Sequence, residues 1–149
     1  MVRDDLRTWG TSRGNRLDCP YPERFPLHAT ICTWQGQKAF LDHRLALEVF
    51  RLVIEPEFTM AACLMPDHLH WLLTDASSAE NAVSHFKSLS TRVSWREGKG
   101  GRLWQRSYWD HVIRCQEDVR EVAEYIIQNP VRAGLVRQAG EYPWQIMKL

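Results

Sequence analysis

Nowhere in the 149 residues does an apolar run approach the roughly 20 residues needed to cross a bilayer. The chain therefore offers no membrane-spanning segment. Its first residues, Met1-Val2-Arg3-Asp4-Asp5, are charged and lack the apolar stretch of a secretory signal, so a cytoplasmic location is the default expectation. Cysteine is sparse: Cys19, Cys32, Cys63 and Cys115 are scattered without any C-x-x-C pair, which argues for reduced thiols and against a zinc knuckle. Internal repeats and low-complexity tracts are missing too, which excludes repeat architectures. A surplus of charge is also absent, the formal net charge being +1.

What is present is ordinary globular material, 44% hydrophobic and 25% charged, in a chain too short for two full-sized domains. Gly10, Gly14, Pro20, Pro22 and Pro26 lie among charged residues, so residues 1–26 read as an amino-terminal arm and 27–149 as one domain. The charge is unevenly spread. Residues 1–84 carry 8 Lys/Arg against 11 Asp/Glu, whereas residues 85–114 carry seven bases (Lys87, Arg92, Arg96, Lys99, Arg102, Arg106, Arg114) against Glu97 and Asp110. A local basic window suits contact with a polyanion, because phosphate binding depends on the local field. A solvated helix face is the plainer reading of the same residues.

Leu27 to Trp34 alternates and is β-branched enough for a first strand, with His28 and Thr30 on one face. Asp42 can cap a helix running to about Ile54, with Leu45, Val49 and Leu52 at helical spacing. Phe58 to Leu64 reads as a second strand, Pro66-Asp67 as a tight turn, and His68 to Thr74 as a third. Ser77 and Glu80 have the spacing of a capping box before a helix with apolar Ala82, Phe86, Leu89 and Val93. Gly98-Lys99-Gly100-Gly101 breaks that helix, and a fourth strand is expected over 108–114. Glu117-Asp118 suit the first turn of a last helix that Pro130 should stop at Asn129, with Val119, Val122, Ala123 and Ile126 buried. Tyr142-Pro143-Trp144 then locks the carboxy-terminal end onto the body. The predicted architecture is α+β: a split β-α-β sandwich, an antiparallel sheet of four to five strands with helices on one face.

Two placements carry chemistry. His68 and His70, two apart on a strand, point to the same side and form half of a metal site. Tyr125 and Asn129, about 40° apart on one helix edge, project together from the seam between helix and sheet. A phenolate is a serviceable nucleophile toward a phosphodiester once a metal polarises the phosphate, and the metal also helps a phenol whose free pKa is about 10. Two histidines and an asparagine amide are neutral ligands, so the ion keeps its full charge for the phosphate. Ligand chemistry alone leaves Mg, Mn and Zn open.

His68-Leu69-His70, after Met65-Pro66-Asp67, is an HUH pattern (histidine, bulky hydrophobic, histidine). Together with Leu103-Trp104-Gln105-Arg106-Ser107-Tyr108-Trp109-Asp110-His111 and the run Tyr125-Ile126-Ile127-Gln128-Asn129-Pro130-Val131-Arg132-Ala133-Gly134-Leu135, it resembles the REP-associated tyrosine transposases. The ordered match covers about 21 to 145. The resemblance implies a ferredoxin-like domain that cuts and rejoins single-stranded DNA beside a hairpin. His68, His70 and Asn129 would hold Mg or Mn, and Tyr125 would be the nucleophile of a 5′-phosphotyrosine intermediate. Its partner would be a palindromic repeat folded as a single strand, bound by a monomer or a homodimer. A domesticated protein that binds such hairpins in DNA or RNA without cleaving them is the alternative. Lys87, Arg92, Arg102 and Arg106 are candidates for phosphate contacts, Trp104 and Trp109 for stacking on unpaired bases, and His111 for a DNA or supporting contact. His28 and His85 read as structural, and Trp34 and Trp71 as core.

Overall fold

The computed structural model describes residues 25–114 and 118–149. The arm expected over 1–26 therefore falls outside the described residues except for Phe25 and Pro26, and so does Glu117. Those two arm residues are tied to the body: the Phe25 carbonyl accepts from Ala76 N at 2.7 Å and the Pro26 carbonyl from Ile113 N at 2.8 Å.

Among the described residues five strands form one antiparallel sheet: β1 (Leu27–Cys32), β2 (Thr59–Met65), β3 (His68–Leu73), β4 (Trp109–Val112) and β5 (Gln145–Met147), in the spatial order β4-β1-β3-β2-β5. Helix α1 (His43–Ile54) carries the chain from β1 across to β2, so β3 lies between them, the split β-α-β connection. Helix α2 (Ala76–Arg96) follows β3, and α3 (Val119–Ile127) follows β4, with a short α4 (Asn129–Arg132) directly after it. The expected α+β sheet of four to five strands is thus present. No helix among the described residues is long and apolar enough to cross a membrane.

Strand alternation sorts the core into two. Ala29, Ile31, Leu64, Leu69 and Trp71 project from one face, where Leu45, Val49 and Val53 of α1 and Val83 and Phe86 of α2 bury them. Cys63, Met65 and Leu72 project from the other face and are covered by Val122, Ala123 and Ile126 of α3. The expectation that helices lie on one face is corrected here: α1 and α2 share a face and α3 takes the opposite one. The reason lies in β3, all six residues of which are buried, so both of its faces need a cover.

Local details depart from expectation where two signals compete. Asp42 caps α1 as expected, accepting from Arg44 N at 3.0 Å and Leu45 N at 3.2 Å. The cap of α2 is Asp75 instead of Ser77; its carboxylate accepts both the Ser77 backbone N–H and the Ser77 hydroxyl, so the expected box is displaced by a stronger acceptor two residues earlier. Pro130 does not stop the last helix at Asn129. Helix α3 ends at Ile127, and Pro130 sits in the first turn of α4, where a missing N–H costs nothing. The fourth strand is shorter than 108–114, and β5 was not anticipated as a strand. It extends the expected lock: the Tyr142 hydroxyl donates to the Leu64 carbonyl, and the Trp144 carbonyl accepts from Leu64 N.

Candidate active site

The site sits on the face covered by α3. His68 and His70 leave β3 on that side, as strand alternation requires, with ring centroids 4.8 Å apart and planes at 86°. Both are buried, at 4% and 3% exposure, so they stand under the α3 cover and not on a solvated sheet face. Pairing with β1 sets Thr30 opposite His70 and His28 opposite Leu72, which brings His28 and Thr30 to the same face.

Hydrogen bonds fix which ring nitrogens remain available. The Asp67 carboxylate, in the tight turn before β3, lies 2.7 Å from His68 Nδ1. A carboxylate only accepts, so Nδ1 carries a proton and is held by Asp67, and Nε2 is the nitrogen turned toward the site. That same bond holds the Asp67 carboxyl below the usual range. On His70 it is again Nδ1 that is engaged, 3.0 Å from His28 Nε2 and 3.2 Å from Thr30 Oγ1, which leaves its Nε2 for a ligand. Burial, chiefly, and then the neighbouring histidines and Arg132 push His70 well below the ordinary histidine value. Burial, aided by His111, pushes His28 down to about 4. Both rings are therefore neutral at pH 7, as metal ligation requires.

Helix α3 and the start of α4 deliver the other two residues. Asp118 caps α3 by accepting Arg120 N at 2.8 Å, and the buried stripe Val122, Ala123 and Ile126 sets the helix rotation. The Tyr125 ring then lies 6.4 Å from the His70 ring, centroid to centroid. One turn on, the Asn129 amide reaches His68 Nε2 at 3.3 Å. A half-turn of the amide exchanges its nitrogen for its oxygen at that place, so Asn129 can donate to His68 Nε2 or ligate beside it. Arg132 packs its guanidinium 3.9 Å from the Tyr125 ring centroid and donates to the Tyr125 carbonyl at 2.8 Å.

This donor set fits a divalent ion. Two imidazole Nε2 atoms with their other nitrogens held by a carboxylate, a hydroxyl and a third imidazole are oriented as metal-bound histidines are. Among the described residues no three His, Cys, Asp or Glu side chains gather into a metal-binding group, so Asn129 is the third donor a metal here would call on.

The structure brings His68, His70, Tyr125 and Asn129 together as the sequence predicts, and divides the remaining candidates. Arg92 and Arg106 are exposed, and exposed Arg102 stacks its guanidinium 4.3 Å from the Trp34 ring centroid. Lys87 is not a free cation: its ammonium donates to the Gln105 and Arg106 carbonyls at 2.8 and 3.0 Å, tying down the loop before β4. Trp104 is corrected from base platform to core, since it is 5% exposed, donates to Ser90 Oγ at 2.8 Å and packs on Phe40 and Phe86. Trp109 stands open at 59% exposure, and His111 is half-buried opposite His28. Asp67, His28, Thr30 and Arg132 were not singled out for function. The alternation of β1 already put His28 and Thr30 on one face, but which face depended on the pairing with β3.

A split β-α-β sheet with an HUH pair on its central strand, and a tyrosine and an asparagine on the covering helices, is the class of site that the sequence resemblance implied. The chain is similar, at 29% identity over 102 residues (60% of this chain, 58% of the relative), to a protein of Haemophilus influenzae named as a REP-associated tyrosine transposase. It is similar at 28% identity over 81 residues (54% and 48%) to the REP-associated tyrosine transposase of Escherichia coli K12. The chain thus spans about half the length of the curated relatives it matches. The fold matches that of a REP-associated tyrosine transposase solved bound to a REP hairpin, with TM-score 0.62, 23% identity, and coverage of 84% of this chain and 78% of the other. No protein-family model matches.

Proposed function

We propose that this protein cuts and rejoins single-stranded DNA beside a hairpin, with Tyr125 as the nucleophile and His68, His70 and Asn129 holding Mg or Mn. The observation that carries the reading is the convergence of two distant segments. The Asn129 amide lies 3.3 Å from His68 Nε2 and the Tyr125 ring 6.4 Å from His70, although more than fifty positions separate helix from strand. Relatives named as REP-associated tyrosine transposases, and a similar fold solved with a REP hairpin, support the same class of substrate.

The bound ion would supply charge to the non-bridging oxygens of the scissile phosphate and favour the phenolate. Everything else falls to the chain. Asp67, His28 and Thr30 engage Nδ1 of the two imidazoles and so leave Nε2 of each for the ion, and Arg132 braces the Tyr125 ring by packing its guanidinium on it while bonding the Tyr125 carbonyl. Tyr125 Oη forms a bond to phosphorus as the bond from phosphorus to the 3′ oxygen breaks; the phenol proton passes to solvent and the departing 3′ oxygen takes one up. The resulting 5′-phosphotyrosine keeps the energy of the diester. Attack by a 3′-hydroxyl then reverses the step and reseals the strand without ATP.

The test is a labelled hairpin oligonucleotide with single-stranded flanks, incubated with the protein and Mn and resolved under denaturing conditions. A covalent adduct is expected that disappears in Tyr125→Phe and with EDTA. Tight binding that never yields an adduct would contradict cleavage and leave a hairpin-binding protein. An adduct that survives Tyr125→Phe would remove that residue from the role.

A further inference from the structure

Trp109 is the largest exposed apolar side chain near the site, and the sheet register says where it points. It lies on β4, the edge strand, directly opposite Thr30 of β1, and Thr30 lies directly opposite His70 of β3. Directly opposed residues of antiparallel strands project to the same face. The Thr30 hydroxyl confirms that face by reaching His70 Nδ1 at 3.2 Å. Trp109, Thr30 and His70 therefore form one row across the sheet, and two strand spacings, about 10 Å, separate the indole from the histidine. A ring 59% exposed beside a buried catalytic row is a large apolar surface left in water.

We propose that Trp109 is the stacking platform for one unpaired nucleobase flanking the phosphate that Tyr125 attacks. The inference rests on the reading of this face as a single-strand processing site and adds to it the place where the strand is gripped by a base. Three features favour a nucleobase over a protein partner. The residues that the register sets beside Trp109 on its face, Thr30 across the strand and His111 two residues on, are polar, unlike the apolar patch that forms the core of a protein interface. It sits inside the basic window of residues 85–114, close in sequence to exposed Arg102 and Arg106, which suits a chain carrying both bases and phosphates. And its row leads directly to the histidines: a strand whose phosphate lies over His70 passes the edge of the sheet within one or two nucleotides. Trp104, five residues earlier, is buried and excluded from the role.

The experiment is a cycle between side chain and base. Binding of wild-type protein, Trp109→Ala and Trp109→Phe is measured in EDTA against a hairpin oligonucleotide with unpaired thymidines on both flanks, and against a series in which each unpaired position in turn is abasic. The expected result is that one abasic position weakens wild-type binding about five-fold or more. Trp109→Ala should weaken the intact oligonucleotide by a similar factor and become indifferent to that lesion, while Trp109→Phe stays sensitive to it. Lesion and substitution effects that multiply independently, or an unchanged affinity in Trp109→Ala, would overturn the proposal. So would a change of oligomeric state in Trp109→Ala, read by sedimentation, with DNA affinity intact, since β4 would then be a protein interface. Adduct formation with Mn, measured on the same oligonucleotides, separates the two claims. An adduct without coupling to Trp109 removes the base platform alone, and coupling without an adduct removes cleavage alone.

Discussion

His28 shows how a single side chain acts through another at this site. Its Nε2 lies 3.0 Å from His70 Nδ1, and its own burial keeps it neutral, so with its proton on Nδ1 it would accept from His70 Nδ1 and leave His70 Nε2 for a metal. Removing a partner of this kind typically costs ten- to a hundred-fold in metal affinity. His28→Ala should therefore weaken Mn binding, followed by electron paramagnetic resonance, by about that factor; an unchanged affinity in a folded variant would make His28 merely a core residue. The four residues of the proposed site, His68, His70, Tyr125 and Asn129, were legible in the sequence because the histidines share one strand and the tyrosine and asparagine stand one turn apart across the junction of α3 and α4, where a period of two or of four settles direction. Asp67, His28, Thr30 and Arg132 were not. Their roles are hydrogen bonds and ring contacts whose partners lie on another strand or follow from side-chain conformations that spacing does not determine.

At the scale of the elements, α3 is the part on which the proposed chemistry rests, since it joins Tyr125 and, through α4, Asn129 to the sheet. Asp118→Ala removes its cap and should cost about 1 kcal/mol in chemical denaturation, with adduct formation falling more steeply on warming than in the wild type. Two tryptophans five residues apart make a second comparison. Trp104→Ala empties a packed place between Phe40 and Phe86 and should lose about 3–5 kcal/mol, whereas Trp109→Ala should change stability by no more than about 0.5 kcal/mol. Equal losses would contradict this assignment of core and surface. Element types were readable from periodicity, while ends were less so. Asp75 outcompetes Ser77 as a cap, Pro130 begins a turn instead of ending one, and β5 is three residues whose strand character comes only from pairing with β2.

Across the whole molecule the fold divides labour between two faces. Helices α1 and α2 complete the core on one side, and the opposite side carries the histidines, the α3 cover and the open row that ends in Trp109. The sequence pattern carries the chain order of strands and helices, but neither their order within the sheet nor the cover on both faces, because strand pairing is a long-range contact and a strand buried on both sides differs from one buried on one side only in how polar alternate residues are. The basic window predicts a salt-sensitive hairpin complex. Replacing exposed Arg92, Arg102 or Arg106 with glutamine should each weaken binding and reduce the slope of log affinity against log salt by up to about one. Lys87→Gln should act mainly on stability, because its ammonium is held by two loop carbonyls. The central claim is that the nucleophile is the tyrosine delivered by α3. It is tested most directly by digesting the Mn-dependent adduct with trypsin and nuclease and mapping the nucleotide-bearing peptide by mass spectrometry. The account predicts a nucleotide phosphate on Tyr125 within the peptide Glu121 to Arg132; a nucleotide on Tyr108 or Tyr142, or on no tyrosine, would contradict it.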